Sequence, residues 1–248
     1  MPSEAVLPRL AATVLLIRDD PLQVLMVRRN GRGMFAHLLV FPGGLLEDED
    51  SCDSWLEHCV NADAFSAEER AHRIAALRET WEEASVLIVD GAEGDFLGPP
   101  SSSTPAEFRH AVIASGGKLD LAALQLFGHW VTPEDAPKRY DTQFFIARAP
   151  DGQVAVCDGG ETVALEWIEP HLALQRGREG KGGVMFPTRL NLLRLNETSC
   201  VDDAFAASET RPIVKVTPRV EQRGDGLVVC IPSDAGYSEW EEPAVKRD

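Results

Sequence analysis

The stretches Phe41-Pro42-Gly43-Gly44 and Arg78-Glu79-Thr80-Trp81-Glu82-Glu83 decide how this chain is read. The first ends an apolar run in a glycine turn. The second sets three carboxylates on one side of a helix. With Glu79 at the origin of a helical wheel and about 100° per residue, Glu82 and Glu83 fall within roughly 60° of it. Ile74, Leu77, Trp81 and Ala84 fall on the opposite side. The helix therefore has an apolar stripe to bury and an acidic stripe to present. Carboxylates this close repel one another, and a hard cation such as Mg²⁺ or Mn²⁺, which takes oxygen ligands, would relieve the repulsion. An amphipathic helix with glutamates on its wet face is common and says little alone. The upstream Gly-Gly after an aromatic-proline pair is what raises it to a divalent-metal site.

Together the two stretches resemble the box of the Nudix hydrolases, whose pattern runs Gly, five residues, Glu, seven residues, Arg-Glu-apolar-x-Glu-Glu-x-Gly-apolar. Gly44 takes the first glycine, Arg78, Glu79, Glu82 and Glu83 the Arg-Glu and Glu-Glu places, and Val86 the last apolar one. Four positions depart. Asp50 stands where the family has its first Glu, with Glu49 adjacent and either able to serve. Residues 51 to 77, twenty-seven of them, separate Asp50 from Arg78 where the family has seven, an insertion of twenty. Thr80 holds the inner apolar place, which its methyl group partly meets. Ser85 replaces the last glycine, so the helix is expected to close without the usual left-handed residue.

The insertion, rich in Asp and Trp between Glu47 and Trp55, resembles the branch that includes the peroxisomal coenzyme A diphosphatase, Nudix type 19. His129-Trp130-Val131-Thr132-Pro133, Arg139 to Phe145, Glu161 to Trp167 and Phe186-Pro187-Thr188-Arg189-Leu190 continue the likeness, which runs from about residue 9 to 196. The resemblance implies an α/β fold, the Nudix α/β/α sandwich around a mixed β-sheet. It implies metal-dependent hydrolysis of a nucleoside diphosphate linked to another moiety, such as coenzyme A or acyl-coenzyme A, by in-line attack of metal-activated water. Hydrolysis of NADH, ADP-ribose or a sugar nucleotide is the second reading, and a non-catalytic Nudix-fold nucleotide sensor the third. All three helix carboxylates are retained, which favours an enzyme.

In that picture Glu79, Glu82 and Glu83 hold Mg²⁺ or Mn²⁺ with a backbone carbonyl from Gly43-Gly44. Arg78 orients a carboxylate. The general base is Glu82 or Glu83 acting through a metal-bound water, or Glu161 in the loop before Trp167. Arg28, Arg29 and Arg32, just before the turn, are candidates to meet diphosphate or a 3′-phosphate. His37, six residues ahead of the glycine turn, either lines the cleft or hydrogen-bonds the turn.

Composition bounds the partners. A formal net charge of −16 over 248 residues argues against long nucleic acids, whose binding needs phosphates neutralised by Lys and Arg. A small anionic substrate remains compatible, because a metal and a few arginines dominate the local field. No apolar run approaches the roughly 18 residues that span a bilayer, and Met1-Pro2-Ser3-Glu4 lacks a basic leader start, so no membrane and a cytoplasmic location are expected. The five cysteines, Cys52, Cys59, Cys157, Cys200 and Cys230, are odd in number without close pairing and read as reduced thiols. A homodimer is in keeping with the family.

Periodicity and turn signals predict strands at Leu10 to Ile17, Gln23 to Arg28, Leu38 to Phe41, Leu126 to Val131, Asp141 to Ala147 and Thr162 to Ile168. They predict helices from a capping box at Ser66 and Glu69 to Ala84, and at Pro105 to Gly116, Pro170 to Arg176 and Pro187 to Leu195. Residues 45 to 66 read as an irregular acidic insertion with a short helix at Asp53 to Val60, and Asp95 to Thr104 as a loop. The expected division is a Nudix domain over 1–198, with the insertion at about 51–70, and an extension over 199–248. The extension holds a hairpin of Ile213 to Glu221 and Leu227 to Ile231, packed on the domain or on a second subunit, and a frayed end from Ser238.

Overall fold

The computed structural model describes residues 6–29, 38–92, 98, 104–157, 162–178, 183–224 and 226–244. The strands are β1 (Arg9–Arg18), β2 (Gln23–Arg29), β3 (Leu39–Val40), β4 (Gly43–Leu45), β5 (Cys59–Val60), β6 (Leu119–Asp120), β7 (Gln125–Val131), β8 (Tyr140–Arg148), β9 (Thr162–Ile168), β10 (Lys215–Val216), β11 (Arg219–Arg223), β12 (Gly226–Cys230) and β13 (Glu241–Pro243). The helices are α1 (Ala67–Ala84), α2 (Pro105–Ala114), α3 (Pro170–Arg178), α4 (Phe186–Leu195) and α5 (Val201–Thr210).

The main sheet runs β10-β7-β8-β1-β2-β3, with β4 on β1 and β9 on β2. It is mixed: β1 lies parallel to β8 and β10 to β7, whereas β1–β2, β1–β4, β2–β9 and β7–β8 are antiparallel. Alternation along the central strands divides the core. Leu15 and Ile17 of β1 and Phe144 and Ile146 of β8 point into one cluster with Leu174 of α3, Leu190 of α4 and Ala204 of α5. Val14 and Leu16, with Phe145 and Ala147, point into the other, with Leu77 and Trp81 of α1 and Phe108 of α2. Both faces of the sheet are therefore covered, which is the α/β/α sandwich the sequence implies.

The insertion has more order than an irregular segment. Short 3₁₀ turns at Asp48–Ser51 and Asp53–His58 lead into β5, which pairs with β6. Trp55 is buried, its ring 5.4 Å from Phe108, and Phe108 lies 5.6 Å from Trp81. The indole N–H of Trp55 donates to the Glu49 carbonyl at 3.0 Å. The insertion is thus fastened beneath α1 and α2 by aromatic packing.

Residues after Asn196 differ most from expectation. Val201–Thr210 is a helix, entered where the Val201 N–H donates to the Asp19 carboxylate at 2.8 Å. Ile213 to Glu221 is not one strand: β10 joins the main sheet beside β7, and β11 starts a separate three-stranded sheet with β12 and β13. The stretch from Ser238 to Ala244 is not frayed, because β13 pairs with β12; residues 245–248 lie outside the described residues. Val201, Val216, Ile231, Ala235 and Tyr237 all enter the core cluster of α3 and α4. Tyr237 accepts from the Trp130 indole at 2.8 Å and donates to Asn191 at 3.2 Å. Among the described residues no helix is long and apolar enough to cross a membrane.

Candidate active site

The glycine turn and the acidic helix meet through β4. Ser66 opens α1 with a reciprocal capping box: its hydroxyl accepts from the Glu69 N–H at 3.3 Å, and the Ser66 N–H donates to the Glu69 carboxylate at 2.8 Å. The capping bonds hold the Glu69 carboxyl below its usual range. α1 then lays Glu79 and Glu83 against Gly43 and Gly44, which pair with Thr13 and Ala12 of β1. The Gly43 N–H donates to Glu83 Oε2 at 3.0 Å. A side chain at Gly43 would strike the backbone of β1, and one at Gly44 would have to displace the Glu79 carboxylate. A Cβ on Gly44 would stand 2.4 Å from Glu79 Oε1, and one on Gly43 would stand 2.5 Å from the Ala12 carbonyl oxygen.

Arg78 organises the cluster. Its side chain is 2 % exposed and that of Asp50 is 0 %. Nε and Nη2 grip the two oxygens of Asp50 at 3.0 and 2.9 Å, and Nη2 also donates to the Leu45 carbonyl at 2.8 Å. Nη1 bridges Glu79 Oε1 and Glu82 Oε2, both at 2.8 Å. The Glu47 N–H completes the Asp50 shell, donating to Oδ2 at 2.8 Å. Between Glu49 and Asp50, the alternatives for the family's first acidic place, it is Asp50 that turns inward, while Glu49 is exposed. Spacing alone assigns Asp50 no role beyond that slot. A guanidinium in the middle of a mostly buried helix needs a carboxylate in reach, and that was the available signal.

Electrostatics follow from burial. Desolvation pushes the Glu79 carboxyl up from 4.5 to about 7; the Arg78 charge pulls the other way, and the neighbouring Glu82 adds to the rise. Glu82 is raised for the same leading reason. Burial lowers Arg78, but its bond to Asp50 and the charges of Glu79, Asp50 and Glu82 outweigh that and keep the guanidinium protonated. Asp50, Glu79 and Glu82 thus hold one fixed cation, and Glu83 stands beside them on the Gly43 N–H, so that four carboxylates share a site with a single guanidinium. Oxygen donors of this kind are the ones a hard divalent cation takes. Among the described residues no three His, Cys, Asp or Glu side chains converge closely enough to hold an ion as they stand, and Glu79 and Glu82 are turned onto Arg78.

The acidic stripe is not simply presented to solvent: Glu83 is 5 % exposed, and only Glu79 and Glu82 are partly open. Arg28 lies on β2 between Leu39 of β3 and Ala164 of β9, half-buried. The Arg29 side chain, Arg32, His37 and Glu161 lie outside the described residues. Ser85 corrects the expected helix end. It adopts the left-handed conformation itself, at φ 57°, its N–H donates to the Trp81 carbonyl, and its hydroxyl donates to the Val156 carbonyl at 2.9 Å. Thr80 is fully buried, its hydroxyl turned back to the Ala76 carbonyl at 2.8 Å.

A NUDIX domain profile matches residues 7–186. The chicken acyl-coenzyme A diphosphatase NUDT19 is 27 % identical, over 93 % of this chain and 80 % of its own length. A putative nudix hydrolase 7 of Caenorhabditis elegans is 26 % identical, over 92 % of this chain and 74 % of its own. The crystal structure of a NUDIX hydrolase from Alicyclobacillus acidocaldarius superimposes with a TM-score of 0.66 at 27 % identity, over 84 % of this chain and 99 % of that one. A profile that spans most of the chain, over a glycine turn pressed against a Glu79–Glu83 helix, makes this chain a member of the Nudix hydrolase family, an enzyme of the pyrophosphohydrolase type.

Proposed function

We propose that this Nudix hydrolase cleaves the diphosphate of coenzyme A or acyl-coenzyme A, releasing 3′,5′-ADP and a 4′-phosphopantetheine product. The observation that carries the substrate is the likeness to the chicken acyl-coenzyme A diphosphatase across 93 % of the chain. The long insertion between Asp50 and Arg78, resembling that branch, agrees with it.

The residues have separable tasks. Glu79, Glu82 and Glu83, with a carbonyl of the Gly43-Gly44 backbone, would hold Mg²⁺ or Mn²⁺. The bound ion would activate water and neutralise phosphate oxygens. Arg78 keeps the carboxylates together before the ion arrives: its fork on Asp50 fixes the guanidinium plane, and the same guanidinium aims Glu79 and Glu82. Glu82 or Glu83 takes the proton of the attacking water, with Glu161 the other candidate. Arg28, joined by Arg29 and Arg32, meets substrate phosphate from the end of β2.

Product analysis by mass spectrometry tests this directly, offering coenzyme A, acyl-coenzyme A, NADH, ADP-ribose and a sugar nucleotide with Mg²⁺ or Mn²⁺ against an EDTA control. Metal-dependent release of 3′,5′-ADP is the expected result. AMP from one of the other substrates, with coenzyme A untouched, would refute the coenzyme A assignment.

A further inference from the structure

The three-stranded sheet has an open margin. Among the described residues β11 pairs only with β12, and all five of its residues are exposed. Gly224 and Asp225 join the two strands, with Arg223 facing Gly226 across the turn. In a two-residue hairpin the pair flanking the turn exchanges backbone hydrogen bonds, and such pairs then alternate along the ladder. Arg219, Glu221 and Arg223 therefore direct their backbone groups at β12. Those of Val220 and Gln222 point outward, where no backbone partner meets them among the described residues. Side-chain alternation puts Val220 beside Val229, and Leu227 and Trp240 on the same face. Val220, Leu227 and Trp240 are 55 %, 43 % and 44 % exposed.

We propose that β11 pairs antiparallel with β11 of a second copy of this chain, about a two-fold axis at Val220. Charge and ladder length together select this register: an axis at Gln222 would also set Glu221 against Arg223, but it runs Val220 onto the turn residue Gly224 and leaves a shorter ladder. The axis at Val220 sets Arg219 opposite Glu221 of the other copy, twice by symmetry, with Val220 against Val220. Gln222 then faces Pro218, which lacks an N–H but offers its carbonyl to the Gln222 N–H. An axis one residue along, at Glu221, would set Glu221 against itself and Arg219 against Arg223, like charges in both places. Within one copy Arg223 already holds Glu221 at 3.1 Å and Glu241 at 2.6 Å, and a carboxylate can accept from two cations. The pairing satisfies the outward backbone groups and makes the Val220, Leu227 and Trp240 face continuous across two chains.

Sedimentation equilibrium over a wide concentration range, on the full chain, tests the pairing. The wild type should dimerise reversibly. Glu221→Arg should weaken the dimer about tenfold, since two ion pairs become two repulsions, and Arg219→Glu combined with Glu221→Arg should restore it. Val220→Pro removes an outward N–H at an edge position that tolerates proline and should give a monomer with unchanged melting temperature and turnover. A wild-type monomer at every concentration would overturn the proposal, leaving the charges of a short edge strand as its shield. A dimer equally tight in Glu221→Arg and Val220→Pro would overturn it too.

Discussion

One guanidinium decides the geometry of the acidic cluster. Arg78 is buried with Asp50, and removing either partner strands a charge in a dry site. Arg78→Ala should therefore lower stability by about 3–5 kcal/mol in urea unfolding. Arg78→Lys should recover little, because a point charge cannot reproduce the fork. Glu82→Gln and Glu83→Gln lose a charged oxygen from the cluster instead. They should reduce turnover by a factor of about a hundred or more while shifting the melting temperature little, since each remains close in shape. Glu79 adds a pH dependence with a definite sign. Its folded value of about 7 lies above its ordinary 4.5. The native state thus holds a proton that the unfolded chain releases, a contribution complete below about pH 4.5 and lost as pH rises through about 7. In EDTA, wild-type stability should fall relative to Glu79→Gln across that window, by at most about 3 kcal/mol. Parallel curves for the two proteins would contradict the raised value.

At the scale of elements, α1 was legible because its capping box, apolar stripe and carboxylate spacing are all local. Its end was not. The sequence shows Ser85 in a glycine place, and only the Val156 carbonyl, far along the chain, explains why a left-handed serine is held there. Ser85→Gly relieves the backbone and forfeits the hydroxyl bond, two changes of about 1 kcal/mol that nearly cancel. Ser85→Ala forfeits the bond and keeps the strain, so it should unfold at lower urea than Ser85→Gly. The insertion was only partly legible, for a similar reason. Its composition predicts an irregular acidic segment with a short helix at Asp53 to Val60, and a 3₁₀ helix does form at Asp53–His58, but nothing local shows that Trp55, 1 % exposed, packs between elements distant in sequence. Trp55→Ala should cost about 3–5 kcal/mol. The short strands β4, β5 and β6 carry two or three residues each, too few for a period to register.

For the molecule as a whole, the α/β/α layering could be read from strands and helices whose patterns are strong, and the glycine turn with its helix pointed to the candidate site. Of the tail, the hairpin across Arg223 to Gly226 could be read; the rest could not, because its contribution lies in isolated residues such as Val216 and Tyr237 that find partners only once the core exists. A chain ending at Thr198 would uncover the face where Val201, Ile231 and Tyr237 sit, and should aggregate or melt well below the full chain. Tyr237→Phe, a milder test, leaves the Trp130 N–H without its acceptor and should cost about 1–3 kcal/mol. The clasp of Asp50 by Arg78 also bears on how such a molecule can change over generations. It ties together two points 28 residues apart, so the length of the intervening chain is uncoupled from the alignment of the carboxylates. Each doubling of a closed loop costs only about 0.6 kcal/mol. Residues added at the partly exposed turn Ala62–Ala64 would enlarge the loop while its stem stayed shut, which makes this the place where the enzyme can acquire new sequence without rebuilding its chemistry.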